Sequence, residues 1–204
     1  MAKVEYVDYA DLALKAKDIR SHAETLNKEL TNAYKSVIDM HKSWYGDRYN
    51  VLAKDFNELA PSINEMLKIT VKEIPFALET VANNFSQADK GANTTSAQQT
   101  AEVKMENVPT PNDVGMRFIS SEVSTIRDSV KNNFKKAIVE MDSIESTYNK
   151  ISWKSESAEA FRAKFTKLKK QISDDIQNIN TQFDKCMKQA LDDLENTENK
   201  NTVN

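Results

Sequence analysis

From Tyr9 to Trp44 apolar side chains return every third or fourth residue without a gap: Tyr9, Leu12, Ala16, Ile19, Ala23, Leu26, Leu30, Ala33/Tyr34, Val37, Met40 and Trp44. That spacing draws one stripe along an α-helix and does not suit a strand, whose side chains alternate with period two. Three more stripes follow: Leu52 to Ala88, Ile119 to Ile151, and Ala158 to Leu194. Three glycines and four prolines in 204 residues leave too few turn residues for a many-stranded sheet. A hydrophobic content of 39% with mean hydropathy -0.64 covers helix stripes but does not fill a deep globule. The predicted fold is all-α, an elongated antiparallel four-helix bundle built from two helix-turn-helix hairpins.

The helix ends are written locally. Asp8 predicts an N-cap for the first helix, with Asp11 adding negative charge at the positive end of its dipole. Trp44-Tyr45-Gly46-Asp47 breaks the period; Gly46 predicts a turn with positive φ, and Asp47 a cap for the second helix. Pro61 and Pro75 inside the second stripe predict bends. The period is lost from about Ser86, and Thr110-Pro111-Asn112-Asp113 then carries the signature of a helix start. Trp153-Lys154-Ser155 marks the second corner, where Ser155 is a candidate cap for the fourth helix. The expected units are a first hairpin over 1–90, a flexible linker over 91–112, a second hairpin over 113–195 and a disordered tail over 196–204.

Sliding the chain so that Trp44 falls on Trp153 places Phe56 on Phe165, Leu59 on Leu168, Ile63 on Ile172, Leu67 on Ile176 and Phe85 on Leu194. Coincidences in one register mean an internal duplication. The repeated unit is a helix, a Trp-x-Gly corner and a second helix with Leu59-Ala60-Pro61 soon after it. It resembles the WXG family of type VII secretion substrates, the early-secreted-antigen-like proteins, over about nine-tenths of the chain. The second half departs by carrying Ser155 where that family has glycine. The family also bears an export mark after its second helix, an aromatic or apolar residue followed four positions later by a carboxylate. Phe85 with Asp89, and Leu194 with Glu198 at the equivalent place, look like two copies. Neither has the more usual tyrosine.

Other chemistries find no support in the residues. A net charge of -3 with interleaved signs offers no basic face to nucleic acid. The first residues lack the apolar core of a Sec-type signal peptide, and no apolar run is long enough to span a bilayer. His22 and His41 have Ile19 and Ile38 three residues earlier, not the Glu that a di-iron bundle requires. Cys186 lies on an apolar stripe and reads as a buried structural thiol. The lysines of Lys164–Lys170 read as a solvated face, and Trp44 and Trp153 as plugs over their corners, with direct partner binding the alternative. No catalytic residue, cofactor or metal is expected.

The resemblance therefore implies a secreted or cell-surface protein, exported without a Sec-type signal peptide, that works by protein-protein interaction. Its partners would be a type VII secretion ATPase or a related secreted helical protein, and its fused hairpins would act as a monomeric pseudo-dimer without stable membrane insertion. Escort of a toxin or action on a host surface would extend that role. The rival readings are a membrane-active bundle and an intracellular helical scaffold. The linker carries one geometric expectation: at over twenty residues it reaches ~70 Å extended, enough to travel back along helices of about 50 Å. The hairpins are expected to pack antiparallel, with Trp44 and Trp153 at opposite ends.

Overall fold

The computed structural model of the chain describes residues 8–89, 104–112, 115–151, 153 and 155–201. These residues build four helical rods. The first is α1, Tyr9–Met40. The second joins α2, Asp47–Leu67, through a π-helical stretch, Lys68–Glu73, to α3, Ile74–Ala88. The third is α4, Ser120–Asn149, and the fourth α5, Glu156–Asn201. Two short strands, β1 (Trp44–Tyr45) and β2 (Arg117–Phe118), pair antiparallel with Trp44 opposite Phe118.

The stripes become the core. Leu12, Ala16, Ile19, Ala23, Leu26 and Leu30 of α1 are fully buried, as are Val130, Phe134, Ala137 and Met141 of α4. Three of the five pairs matched by the internal register share one environment, with Phe56 and Phe165, Ile63 and Ile172, and Leu67 and Ile176 all buried. The other two differ, Leu59 being buried and Leu168 half-buried, Phe85 exposed and Leu194 half-buried. Aromatic contacts cross between hairpins, with Phe56 of α2 stacked on Phe134 of α4 at 5.6 Å.

Polar pairs at the rims fix the direction of each rod. Ser43 hydrogen-bonds Glu122 at one end of the α1/α4 seam, and His22 Nδ1 lies 2.7 Å from Glu140 Oε2 farther along it. Rising numbers on α4 thus meet falling numbers on α1. Between α2 and α5, Arg48 meets Asp193 while Lys164 meets Glu65. Both cross-hairpin seams are antiparallel, so the two corners sit at opposite ends of the bundle. Each hairpin alone leaves an apolar stripe open, and mutual burial closes both.

Asp8 caps α1 as expected, its Oδ1 accepting from Asp11 N at 2.9 Å. Ser155 caps α5 in the same way, accepting from Ala158 N at 3.1 Å. Other boundaries moved. Helix α4 begins at Ser120, with Ile119 at the N-cap position, and not at Thr110-Pro111. The local start signal there loses to tertiary bonds: Ile119 N donates to Ser43 O at 2.9 Å, and β2 pairs with β1. Asp47 is the first residue of α2, with Gly46 at the N-cap position. At the other terminus α5 continues through Asn201, beyond the expected end at 195. Thr197 Oγ1 donates to Asp193 O at 2.7 Å within that last stretch. Residues 91–103 of the expected linker and 202–204 of the expected tail lie outside the described residues.

The second rod stays helical through both prolines, Pro61 lying inside α2 and Pro75 at the start of α3. Pro75 has no N–H for the carbonyl of Val71, and its ring crowds that carbonyl. The π-helical stretch directly before it widens the turn where the crowding falls. Arg20 of α1 reaches this place: Nη1 donates to Val71 O at 3.3 Å and Nη2 to Glu79 Oε1 at 2.6 Å. The Arg20 and Glu79 side chains are only 12% and 7% exposed. A buried ion pair thus clamps the second rod to the first where its backbone departs from α-helix.

Candidate partner-binding site at the first corner

Met40 ends α1, and Trp44 then turns inward and is 1% exposed. Its indole packs edge-on against Phe118 at 5.3 Å and Tyr49 at 6.2 Å, and stacks on Phe183 at 6.1 Å. These rings come from β2, α2 and α5, so the tryptophan plugs the joint between the hairpins. Trp153 at the other corner is only partly buried against the core. Gly46 has φ 115° and ψ -175°, a region essentially closed to residues with a Cβ. Space is not the constraint, because a Cβ there would meet nothing closer than 3.7 Å.

The corners are tied by tyrosines from opposite directions. Tyr49 of α2 donates its hydroxyl to Val37 O of α1 at 3.2 Å, whereas Tyr148 of α4 donates to Ala158 O of α5 at 2.7 Å. Burial pushes both phenols up to about 12. Arg162 lies over the Tyr148 ring, 5.4 Å from its centroid.

Replacing Gly46 with valine therefore forces the turn out of its conformation and costs at least about 1–3 kcal/mol. Ser155→Gly costs only a few tenths of a kcal/mol, since glycine is itself an acceptable cap. Thermal unfolding of the two variants measures the difference; equal, mild shifts in Tm would show that the first corner stores no conformational constraint.

Beside Gly46 lies an open cleft of about 1030 Å³. Asp47, Arg48 and Asn50 line it from α2, Pro111 and Met116 from the segment before α4, and Asp193, Asn196, Thr197 and Lys200 from the last turns of α5. Leu194 and Glu198 belong to those same turns, Leu194 half-buried and Glu198 exposed. Phe85 and Asp89 stand at the far end of the bundle, both exposed, with Tyr9 Oη 3.5 Å from Asp89 Oδ2. The structure thus brings Trp44 and Gly46 to the end that carries Leu194 and Glu198, and separates them from Phe85 and Asp89.

Residues 104–112 are held on α2 by contacts that no local pattern around them announces. This segment, part of the expected flexible linker, runs in extended form antiparallel to α2. Asn64 Oδ1 accepts from Met105 N at 2.7 Å; Asn57 accepts from Val108 N at 2.8 Å and donates to Val108 O at 2.9 Å; Asn50 donates to Pro111 O at 3.2 Å. Met105 and Val108 are buried. Asparagines recurring every seven residues on a helix, where asparagine is a poor former, were the available signal.

A second cleft, of about 490 Å³, opens between α2 and α5, lined by Asp55, Glu58, Leu59, Asp175, Asn178, Ile179 and Gln182. Desolvation first, then a neighbouring carboxylate, raises the pKa of both Asp55 and Asp175. Close by, Cys186 is 1% exposed, and burial pushes its thiol up. His41 packs against the rings of both Tyr45 and Tyr49. Lys164 pairs with Glu65, and Lys169 with Asp142 and Glu145, so part of the lysine-rich face of α5 is tied to its neighbours. Among the described residues no group of three or more His, Cys, Asp or Glu side chains is placed to hold a metal ion, and no helix is long and apolar enough to cross a membrane. No family model, curated protein or solved structure matches the chain at a significant level.

Proposed function

We propose that the chain is a non-enzymatic binding protein, exported as a substrate or co-substrate of a type VII-like secretion system, in which two fused WXG-type hairpins stand in for the two subunits of a dimer. The observation that carries this reading is the first corner. Trp44 is sunk between the hairpins, Gly46 holds a glycine-only conformation beside it, and the last turns of α5 with Leu194 and Glu198 flank the same cleft. Three properties follow from the reading. The partner is the secretion ATPase or a related secreted helical protein, the product lies outside the cell or on its surface, and the chain is a monomer. Nucleic acid is not a partner, given the net charge of -3, and the membrane is crossed through the apparatus without stable insertion.

The test compares culture medium from cells with and without the secretion ATPase, for the unaltered chain and for Asp89→Ala, Glu198→Ala and the double variant. Export of the unaltered chain is expected to stop without the ATPase. The double variant is expected to keep its helicity by circular dichroism and lose at least about tenfold in secretion, a loss in recognition of about 1.4 kcal/mol or more. Glu198 should carry most of it, because α5 projects past the corner whereas Asp89 leads into the connection between hairpins. Undiminished secretion of the folded double variant would remove the export assignment.

A further inference from the structure

We infer that the groove along α2 formed by Asn50, Asn57 and Asn64 is a peptide-binding site, filled in cis by residues 104–111 and able to take an extended peptide of another protein in their place. The inference is independent of the export reading and rests on how the groove and its occupant match.

The three asparagines are seven residues apart, so they stand on one face of α2 at intervals of about 10.5 Å. Their partners Met105, Val108 and Pro111 are three residues apart, which in extended chain is about 10 Å. Three extended residues thus keep step with two helical turns. Every bond of the ladder goes to the occupant's main chain, and Asn57 grips both N–H and C=O of Val108. Glu106, Asn107, Pro109 and Thr110 are exposed. The groove therefore selects an extended backbone with apolar side chains three residues apart and is indifferent to the residues between them, the property of sites that read peptides by strand-like main-chain bonds.

The ladder is confined to the first hairpin. Under the register that matches Trp44 to Trp153, the equivalents of Asn50, Asn57 and Asn64 are Glu159, Thr166 and Ser173, so the second hairpin lacks the asparagine repeat. Along α2 the two apolar side chains and the four hydrogen bonds to asparagines must offset the ordering of eight residues. That balance makes the segment displaceable. Its tether sets an effective concentration in the millimolar range, which a competing peptide in trans must overcome.

The probe is a fluorescent peptide with the sequence of residues 104–112, titrated by anisotropy into the full chain and into a variant whose own segment is released by Met105→Asp with Val108→Asp. The released variant, shown folded by circular dichroism, is expected to bind at least tenfold more tightly than the unaltered chain. Adding Asn57→Ala should cost it about tenfold, as should N-methylation of the valine amide in the peptide. No binding to the folded released variant would overturn the proposal, and so would binding that ignores both Asn57 and the methyl group. Should the released variant not fold, hydrogen exchange in Asn57→Ala alone decides: the Met105 and Val108 amides are expected to exchange at least tenfold faster, and unchanged protection would overturn the proposal.

Discussion

Arg20→Ala is expected to lower the stability of the protein by roughly 3–5 kcal/mol, a large part of what a domain of this kind possesses. The substitution leaves the Glu79 carboxylate, 7% exposed, without the guanidinium 2.6 Å away, and removes a donor at Val71 O from the π-helical turn. A charge held out of water without its counter-charge is the costly case; the intact pair gains far less over an apolar replacement. Changing both partners, with Arg20→Met and Glu79→Leu, should therefore recover most of the loss. Urea unfolding reads both results as shifts of the midpoint at constant slope. A cost below about 1 kcal/mol for Arg20→Ala would mean that water reaches Glu79 and that the clamp is a surface contact.

Shortening the connection between hairpins is expected to make two copies of the chain pair by exchanging hairpins. Asp89 lies beside Tyr9 at one end of α1, and Ile119 is bonded to Ser43 just past the other end. The two points are separated by about 50 Å, the length of the intervening helix at 1.5 Å per residue. Deleting Gly91 to Pro109 leaves eleven steps between Asp89 and Ile119, which extend to at most about 40 Å. The chain then cannot return to its own first hairpin, and the open stripes find the complementary stripes of a second copy. Light scattering on the gel-filtration peak should give twice the chain mass. A shortened variant that stayed monomeric with unchanged stability would refute the path traced here.

What was legible in the sequence is what neighbours in the chain decide. The stripes, the Asp8 and Ser155 caps and the positive φ of Gly46 depend on residues a few positions apart, whereas the rings that bury Trp44 include Phe118 and Phe183 from distant parts of the chain. The antiparallel arrangement was legible too, because linker length and helix length are both written in the chain. Contacts decided at long range were not. The Thr110-Pro111 helix start obeys local rules, yet β1 pairs with Arg117–Phe118 and Ser43 bonds Ile119, and the helix begins only at Ser120. The Asn50/Asn57/Asn64 ladder joins residues 41 to 61 positions apart, and Arg20 reaches 51 and 59 positions to Val71 and Glu79. A charged residue beside a stripe gives no local sign of which way it faces. At the candidate site, the sequence pointed to the corner and to the carboxylates, but only the fold puts Gly46 beside the turns that carry Glu198 and sends Asp89 to the opposite end.

One chain folds its two hairpins head to tail, and the separation of the two corners reports this arrangement. Lys42, at the first corner, and Lys150, at the second, are both exposed. In a Cys186→Ala background, spin labels at Lys42→Cys and Lys150→Cys, diluted with unlabelled protein, report their separation within one molecule. Helix α4 spans the gap, since its start is bonded to the residue after Lys42 and its 30 residues lead to Lys150. The expected distance is about 45 Å. A dominant distance below about 25 Å would place both corners at one end and contradict the antiparallel pseudo-dimer.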